Sequence, residues 1–545
     1  MAVEYTMFQV GAGYVTLGSS SVVEEPPPPA SGWTTFAANA DTVKIYCSSS
    51  TGSDSNDGLS TGAPVATLAH AYSLLRTGHP DWLLLKRGDT WTNESFTAWG
   101  KSGLSATYPM IIRSYPEDDS GSTARPLIKT GRASGIDSWI GGASTRDYIA
   151  FMGLDFYAHL RDPADPGYDA GNLGTPVGID RYKDGTYMLV EDCRFRYYST
   201  CVNLQTGGAA GMSNMQFRRC QFLYSYMPGT EHSQGVFATR CDGLLIEECF
   251  FDHNGWNETT AGTAWAQNHN LYTHENDNTN VILRGNISCR ASATGLQCRP
   301  GGLVDDNLLV DNPTNLSMGH AQVTWPTLKP TGRLTGNVIL GSRALSGGAS
   351  GRGINCERVA VVDISDNIIA NLSGTTSSGA AIRVDIENED VTVSANIVYD
   401  WTGASAESAL SCNGSQTTRF VCTGNQFQQV NGGKVVSQAS ATFTQFAYSS
   451  NSYYTTDSSS AWFAINGVAK SYAQWNTASG ETGDTSTQVT YSNPGRDIES
   501  YMTSIGATAT RAAFYSACAA QSRLAWSANY TAANVIAYIR AGYGL

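Results

Sequence analysis

The chain has 545 residues, of which 41% are hydrophobic, only 15% are charged and 56 are glycines. It is too long for one ordinary compact core, and its composition favours short strands and many turns over long helices. The formal net charge of −13 argues against the basic face that duplex binding requires, so no nucleic-acid partner is expected.

Residues 1–33 are predicted to form a separate attachment segment. They end in VVEEPPPPASGW, whose proline run favours stiff polyproline II and makes a spacer. The first residues, MAVEYTMFQVGAGYVTLGSS, lack a basic stretch followed by an apolar one, and nowhere do 18 apolar residues run together. Neither a Sec signal peptide nor membrane insertion is therefore expected.

Residues 34–120 are predicted to be an N-terminal cap with the first strands. A strand at VKIYC is followed by a glycine-rich turn and a helix whose first turn contains Pro64. Such a cap protects the exposed end of a repeat array. The turn contains DSNDG at 54–58, which lacks the spacing and the closing Glu of an EF-hand loop, so we favour a plain turn, with calcium as the alternative. No other cofactor and no metal ligands are predicted.

A repeat dominates residues 121–455. Ten segments such as VEDCRF, IEECFF and ISDNII share an apolar residue, two small or polar residues, Cys or Asn, and then mostly apolar residues. The key positions recur after 21 to 37 residues, about 29 on average, which is the length of one coil of a parallel β-helix. They are Cys193, Cys220, Cys249, Asn286, Asn307, Asn337, Asn367, Asn396, Asn425 and Asn451.

The repeat predicts the environment of the cysteines. Equivalent residues of neighbouring coils stack directly, so Asn at a tight bend can hydrogen-bond to the Asn of the next coil, and Cys fills the same slot as a small hydrophobe. Cys193, Cys220 and Cys249 are therefore predicted to be reduced thiols in this column, with the phenylalanines after them stacked inside the coil. Residues 456–545 have helical periodicity, with Thr531 as a plausible N-cap, and are predicted to supply two or three small helices that close the far end.

The candidate site lies where the period breaks. The coil between Cys249 and Asn286 is 37 residues long and the next is 21, so a long loop beside a short coil is expected to wall a groove. The long coil contains FDHNGWNETTAGTAWAQNHNLYTHENDN, with three His, four acids, two Trp and one Tyr, and the short coil adds two arginines. Sugar sites combine flat aromatic faces with such groups. The predicted catalytic candidates are His269, Tyr272, Arg290, Arg299, Glu275 and Asp252, and the predicted sugar contacts are His253, Trp256, Trp265, His274, Glu231 and His232.

Two segments carry a family resemblance. GSDSNDGLSTGAPVATLAHAYSLL followed by LLLKRGDTW resembles the N-terminal cap of right-handed parallel β-helix proteins related to pectate lyases. FFDHNGW with NHNLYTHEN and VILRGNISCRASATGLQCRPGGLVDDNLLVDNP is similar to a branch of the same superfamily. The resemblance implies an all-β, right-handed parallel β-helix over about residues 43–455.

The short N-terminal segment, the lack of an export signal and the small terminal domain resemble a bacteriophage tailspike. The resemblance implies a homotrimer in the virion, attached to tail or baseplate proteins through residues 1–33, that binds and cleaves bacterial surface polysaccharide outside the cell. The aspartate cluster of calcium-dependent pectate lyases is not visible at a readable spacing, which puts that mechanism in doubt.

Two chemistries and one non-catalytic role remain open from the sequence. In a lyase, His269 or Tyr272 removes the proton α to a uronate carboxylate that Arg290 or Arg299 neutralises. In a hydrolase, two acids drawn from Asp252, Glu275, Asp277 and Glu231 flank the bond. Arginine and histidine outnumber convincingly paired acids, which favours the lyase. The alternatives are a receptor-binding or structural virion protein, and a host-encoded enzyme exported by a non-Sec route.

Overall fold

A computed structural model describes residues 32–117, 122–138, 145–260, 262–274, 278–320, 329–344, 351–372, 379–402, 408–412 and 417–545, with the backbone of 9–10 and 13–14. The chain divides into two units, Met1–Thr34 and Thr35–Leu545. In the first, Gln9–Val10 pairs antiparallel with Gly13–Tyr14. All further description concerns the second unit.

The second unit is a right-handed parallel β-helix, as the sequence predicts. From Met110 onward each coil contributes one strand to sheet 1, one to sheet 2 and one to sheet 3, and strands of successive coils pair in parallel and in register. Parallel crossovers within one sheet are right-handed in nearly all proteins. Within the described residues the three sheets contain 14, 13 and 13 strands.

The strands are short, as expected from the many turns in the sequence. Sheet 1 consists of Lys44–Cys47, Trp82–Lys86, Met110–Tyr115, Ile149–Met152, Gly185–Glu191, Met212–Arg218, Cys241–Glu247, Ile282–Arg284, Gly301–Asp305, Thr331–Thr335, Val361–Ser365, Asp390–Ser394, Arg419–Thr423 and Phe446–Ser449. Sheet 2 consists of Thr90–Thr92, Leu127–Lys129, Asp155–Tyr157, Arg194–Arg196, Gln221–Leu223, Phe250–Asp252, Ile287–Cys289, Leu308–Val310, Val338–Leu340, Ile368–Leu372, Ile397–Trp401, Gln426–Gln429 and Ser452–Thr455. Sheet 3 consists of Ile136–Asp137, Val177–Arg181, Thr200–Leu204, Gln234–Ala238, His269–Thr273, Thr294–Cys298, Thr314–Met318, Arg352–Cys356, Ile382–Val384, Leu410–Cys412, Val436–Gln438, Phe463–Ile465 and Val468–Lys470, the last pairing antiparallel.

The turn from sheet 1 to sheet 2 explains the repeated sequence motif. It has two residues, the first with a left-handed backbone and the second in the Cys/Asn column. Asp192 (φ 59°), Glu248 (φ 52°), Asp366 (φ 57°) and Gly336 (φ 67°) occupy the first position. Such a backbone favours Gly, Asp and Asn, which accounts for most of the small or polar residues that precede the column.

The predicted column is confirmed as a continuous hydrogen-bond ladder. From Asn286 to Asn451, each side-chain amide nitrogen donates to the side-chain oxygen of the next Asn at 2.9–3.0 Å. The same oxygen also accepts the backbone N–H of the preceding Asn. At the cysteine end, the backbone N–H of Cys249 donates to Asn286 Oδ1 at 3.0 Å, and that of Cys220 to Cys249 Sγ at 3.4 Å.

The cysteines and phenylalanines behave as structural residues. All twelve cysteines are buried free thiols, and burial raises the thiol pKa of Cys193 and Cys220. Phe195 and Phe222 stack at 5.9 Å, and Phe222 and Phe251 at 4.9 Å, inside the coil. Phe250 belongs instead to the cluster on the outer face of sheet 2, so the two phenylalanines after Cys249 serve two different cores.

The N-terminal end is capped by helix α1 (Leu68–Leu74), which begins after Thr67. The loop before it contains the DSNDG segment at 54–58. Asp54 accepts the backbone N–H groups of Ala66 and Thr67 and the Thr67 hydroxyl, so its carboxylate organises the start of the helix.

The C-terminal end is closed by helix α2 (Tyr472–Ser479) and the residues after it. Trp475 stacks on Phe463 at 4.7 Å. Glu481 ends the Asn ladder, because its carboxylate accepts hydrogen bonds from the Asn451 amide (2.8 Å), the Trp475 indole (2.9 Å) and the Tyr453 hydroxyl.

The remaining helices do not close the end but fold back along sheet 2. They are α3 (Ile498–Ser504), α4 (Arg511–Ala520) and α5 (Ala532–Gly542), with 3₁₀ turns at Arg523–Ala525 and Ala528–Tyr530, and another at His159–Arg161. Thr531 is the N-cap residue of α5, as predicted. Their apolar faces pack on residues of sheet 2 such as Phe250 and Leu308, and Arg540 pairs with Asp366 at 2.9 Å. The helices thereby cover the apolar outer positions of sheet 2 from Leu223 to Ile397.

The sheets extend beyond the predicted segment 121–455. Strands from Lys44 onward already belong to sheet 1, and sheet 3 ends at Lys470. Among the helices of the described residues, none is long and apolar enough to cross a membrane.

The ladder predicts the cost of breaking it. In Asn337→Ala, the Asn307 backbone N–H and amide lose their acceptor, and the Val304 carbonyl loses a donor, all in the interior. We expect a loss of about 3 kcal/mol in the free energy of unfolding, measured by urea denaturation. Exposed Asn529 provides the control, since Asn529→Ala should cost less than about 0.5 kcal/mol. Equal effects of the two substitutions would contradict a stabilising ladder.

Candidate functional site

The outer face of sheet 3 has a continuous row of polar and aromatic side chains. In-register pairing aligns one such residue per coil, while the preceding residue, for example Leu271 or Leu296, is fully buried inside. Neighbouring positions are about 4.8 Å apart. The sheet 3 row consists of Asp137, Asp180, Asn203, Phe237, Tyr272, Gln297, Ser317, Asn355, Arg383, Ser411 and Ser437.

A chain of polar contacts crosses this row at its centre. The Gln297 amide has its oxygen toward Arg299, because that atom is 2.8 Å from Nε and 2.5 Å from Nη2, which can only donate. Its nitrogen then donates to His269 Nε2 at 2.6 Å. The Thr294 backbone N–H makes a longer contact of 3.2 Å with His269 Nδ1. On its other side, Arg299 donates to Glu357 Oε1 at 2.6 Å.

His269 is held as a neutral imidazole. It is only 4% exposed, and burial, then the charges of Arg299 and His232, lower its pKa from 6.5 to about 3. A neutral imidazole accepts at one nitrogen only, so with Nε2 accepting from Gln297 the ring proton is on Nδ1, and the approach of the Thr294 N–H at 3.2 Å is a contact and not a hydrogen bond. A second proton, on Nε2, would set two donors against each other at Gln297 and add a positive charge beside Arg299. The neutral ring therefore accepts from Gln297 and helps to orient the amide that in turn orients the guanidinium.

A glycine lets Arg299 reach across a coil to its acid. Gly319 lies between Arg299 and Glu357 along the edge of sheet 3, and its carbonyl accepts from Arg299 Nη1 at 3.1 Å. Its φ of 101° is accessible mainly to glycine, and an added Cβ would lie 1.8 Å from the Glu357 carbonyl oxygen. Gly319 thus permits the close backbone approach under the guanidinium.

Aromatic rings lie beside His269, at one end of this series of polar contacts. The Tyr272 ring lies edge-on to His269 at 5.2 Å and to Phe237 at 5.4 Å, and 5.7 Å from His274. Tyr272 is partly exposed, unlike His269. In the adjoining loops, the His232 and Trp265 rings lie 5.2 Å apart. The structure therefore brings together six of the predicted residues: His269, Tyr272, Arg299, His274, His232 and Trp265.

Arg290 and Asp252 lie elsewhere, at the edge of sheet 2. Arg290 donates to both oxygens of the Asp252 carboxylate, at 2.8 and 2.6 Å, and its guanidinium lies 4.9 Å over the ring of Tyr515 in helix α4. Asp252 is 1% exposed. The predicted grouping of Asp252 and Arg290 with His269 was therefore wrong, because helix α4 covers the corner on which they lie.

His253 and Trp256 belong to the same corner. The His253 ring stacks on Trp256 at 4.2 Å and contacts Glu258 through Nε2 at 2.7 Å. The Arg343 guanidinium lies 4.1 Å over the Trp256 ring, and the Trp256 indole N–H donates to the Arg290 carbonyl at 2.8 Å. Both faces of this stack are occupied by the protein, so it fastens the loop after sheet 2.

The remaining predicted acids do not form a pair in the described residues. Glu231 is exposed beside His232, and its backbone carbonyl accepts from Asn268 at 3.2 Å. Glu275 and Asp277 lie outside the described residues. Their roles stay predictions from the sequence.

Sequence reasoning missed Gln297, Glu357 and a pair of carboxylates in the sheet 3 row. Asp137 and Asp180 are in-register neighbours, and the Asn203 amide donates to Asp180 Oδ1 at 2.9 Å. Burial, with a contribution from the charge of Asp137, raises the pKa of Asp180. Counting back from the ladder could not reveal this row, since Tyr272 precedes its ladder residue by 14 positions and Gln297 by only 10.

No group of three or more His, Cys, Asp or Glu suited to a metal ion occurs within the described residues.

No protein-family model and no curated protein matches this chain. Among solved structures, it is similar to a GH136 lacto-N-biosidase from Eubacterium ramulus, at 12% identity and TM-score 0.36, over 82% of this chain and 68% of that one. It is also similar to pectate lyase Pel9A, at 16% identity and TM-score 0.36, over 57% of this chain and 79% of that one. A mannuronic acid specific polysaccharide family 6 lyase from human gut microbiota matches at 12% identity and TM-score 0.31, over 77% and 84%. Likenesses this distant assign neither reaction nor substrate to this chain.

Proposed function

We propose that the protein binds and depolymerises an acidic bacterial surface polysaccharide by β-elimination. The observation that supports this most is the Arg299 guanidinium, held at sheet 3 by Glu357 and by Gln297, the in-register neighbour of Tyr272. The sheet 3 row is partly exposed from Asp137 to Tyr272, which suits an extended polymer, while Gln297, Ser317 and Asn355 further along it are buried. Guanidinium binds carboxylate in a bidentate geometry.

Arg299 suits a substrate carboxylate better than Arg290 does. The side chains of Arg299 and Glu357 are 13% and 19% exposed, whereas Asp252, which pairs with Arg290, is 2% exposed. Glu357 keeps some contact with water when its partner is lost, but separating a pair whose acid is almost fully buried leaves an uncompensated charge. A uronate carboxylate can therefore replace Glu357 at Arg299, whereas Asp252 keeps Arg290.

The elimination then uses two groups on this face. Arg299 neutralises the uronate carboxylate, which stabilises the charge that develops when the α proton leaves. Tyr272 reacts as the phenolate and takes the α proton, and the C–H electron pair forms the new C=C bond between the α and β carbons. The glycosidic C–O bond at the β carbon breaks with its electrons on the leaving oxygen. The Tyr272 phenol then gives its proton to that oxygen, which restores the phenolate. His269, being buried, acts as a positioning residue through Gln297.

Hydrolysis by Asp137 and Asp180 is the second candidate. In-register neighbours on parallel strands are about 4.8 Å apart, close to the roughly 5–5.5 Å carboxyl separation of retaining glycosidases. The raised pKa of Asp180 fits a general acid and Asp137 a nucleophile.

The proposed setting is a bacteriophage tail, where the protein acts as a homotrimer at the host surface and residues 1–33 attach it to tail proteins. The division of the chain at Thr34, after the proline run, supports a separate attachment segment. A solution mass of three chains tests the trimer, and a monomer would contradict it.

The non-catalytic rival is a receptor-binding or structural virion protein.

The site predicts distinct losses in two variants. Tyr272→Phe keeps the ring packing but removes the hydroxyl, so kcat should fall about 100-fold or more. Arg299→Gln should lower kcat/KM by about 100-fold through loss of the carboxylate contact. The measurement is ultraviolet absorbance of the unsaturated ends released from candidate uronate polysaccharides, together with polymer length.

Matched variants separate this mechanism from its rivals. Tyr454→Phe and Arg419→Gln alter a partly exposed tyrosine of sheet 2 and an exposed ion pair of sheet 1, and should leave cleavage unchanged. New reducing ends without unsaturation, abolished by Asp180→Asn and not by Tyr272→Phe, would establish hydrolysis instead. Binding without any shortening of the polymer would support the receptor-binding role and refute catalysis.

The neutral state of His269 predicts an unusual titration. Its ring resonance, identified by its loss in His269→Gln, should not shift between pH 8 and 5, unlike a histidine with the ordinary pKa near 6.5. The unfolded chain binds this proton below about pH 6.5 and the folded chain does not, so stability relative to His269→Gln should fall with pH from 6.5 toward 3. A midpoint near 6.5 in the NMR titration would refute the buried, neutral ring.

A further inference from the structure

A cavity of about 440 Å³ lies between sheet 2 and helix α4. Arg194, Tyr224 and Arg290 line it from the coil, and Tyr515 and Ser516 line it from the helix. None of these residues lies in the sheet 3 row. The volume falls within the range of small-molecule sites, about 300–1,000 Å³.

The wall formed by the coil has excess positive charge. Arg194 and Arg196 share one carboxylate, that of Asp155, at 2.6 and 3.0 Å. Burial alone would raise the pKa of Asp155, but the two arginines lower it to about 2, so it stays ionised and compensates only one of them. One positive charge is left for a ligand.

Both lining arginines are more exposed than the acids they pair with, and Arg194 Nη1 also donates to the Ala519 carbonyl of helix α4 at 3.3 Å. The Arg194 and Arg290 side chains are 27% and 32% exposed, while Asp155 and Asp252 are 5% and 2% exposed. Each acid holds Nε and Nη2 of its arginine. The guanidinium orientations are therefore fixed before a ligand binds, which reduces the entropy lost on binding.

Helix α4 keeps the space open because its facing side chains are small. Phe514, Tyr515 and Cys518 are buried and anchor the helix on sheet 2. The cavity side has Ser516 and alanines, which leave the volume unfilled. Those alanines are Ala512, Ala519 and Ala520.

Two tyrosines, Tyr224 and Tyr515, line the cavity, and Tyr224 belongs to a row of rings along the coil. Tyr224 stacks on Tyr197 at 5.2 Å with planes 17° apart, and Tyr157 continues the column at 5.9 Å from Tyr197. Arg196 lies 3.8 Å over Tyr157. Phenol rings combine apolar surface with a hydroxyl, which suits the C–H and O–H groups of a sugar.

We propose that this cavity is an accessory binding site for an acidic sugar residue, with Arg194 and Arg290 contacting its carboxylate and Tyr224 its ring. The choice of an acidic sugar as the ligand rests on the proposed function. The cavity, its positive charge and its aromatic lining are observed independently of that function. A second site on another face would hold the polymer near the sheet 3 row and raise its effective concentration there.

The test uses ligand-observed NMR on the full chain with D-glucuronate and D-galacturonate, and D-glucose as the neutral probe. All variants carry Arg299→Gln, so that the sheet 3 row does not contribute. Arg194→Gln leaves Asp155 paired with Arg196, and Ser516→Phe fills the cavity without touching a charge. Ser504→Phe, an exposed serine at the end of α3, is the matched control, and thermal midpoints verify folding.

We expect uronate binding in the Arg299→Gln background, no glucose binding, and about tenfold weaker uronate binding in each cavity variant, with Ser504→Phe unchanged. The absence of uronate binding, equal binding of glucose, or wild-type affinity in either folded cavity variant would overturn the proposal. If the native chain cleaves no polysaccharide but cavity binding persists, the proposed function fails and this site stands. If cleavage depends on Tyr272 but the cavity variants bind uronate as tightly as their parent, the accessory site fails and the proposed function stands.

Discussion

The side-chain ladder between sheet 1 and sheet 2 is the constraint on which the rest of the molecule depends. Each buried Asn satisfies its own amide only if the next coil offers an oxygen at the same height, because unpaired amides in the interior are costly. That requirement fixes the turn at two residues with a left-handed first position. In the part of the chain that the structure describes, the other two corners vary in length and carry only short Asn contacts, such as Asn254 to Asn270 at 2.9 Å. The loops that border sheet 3 and the helix-covered corner of sheet 2 are therefore free to differ from coil to coil.

The same contrast decides what the sequence could predict. The ladder was readable because its signal is local: an apolar strand end, a left-handed position and a Cys or Asn within four residues. The partners of Arg290 were not, since Tyr515 is more than 200 residues away and reaches it only because the chain folds back over sheet 2. Gln297 and Glu357 share a face with His269 through register, and register along sheet 3 cannot be counted across loops of unequal length.

Covering sheet 2 also determines where a polymer can lie. Helices α3 to α5 bury the apolar positions on the outer face of sheet 2, whereas the outer row of sheet 3 is polar and aromatic along most of its length. The cavity beside α4 exists because that cover is incomplete where the outer residues of sheet 2 change from apolar ones such as Phe250 to the charged Asp155 and Arg194. Arginines there cannot pack under a helix without acids behind them.

The two sets of arginines differ in how easily a ligand can displace the acid that each one pairs with, and this difference assigns their roles. At Arg194 and Arg290 the acids are buried and hold two nitrogens each, so the guanidinium is fixed and a ligand adds to an existing pair. At Arg299 the acid is partly exposed and contacts one nitrogen, while a neutral amide and a neutral imidazole hold the opposite edge. A substrate carboxylate can displace Glu357 without stranding a buried charge, and its own charge offsets that of Arg299 beside His269. We therefore assign catalysis to Arg299, whose acidic partner a substrate can replace. Arg194 and Arg290 keep their acidic partners, so they are suited to binding only.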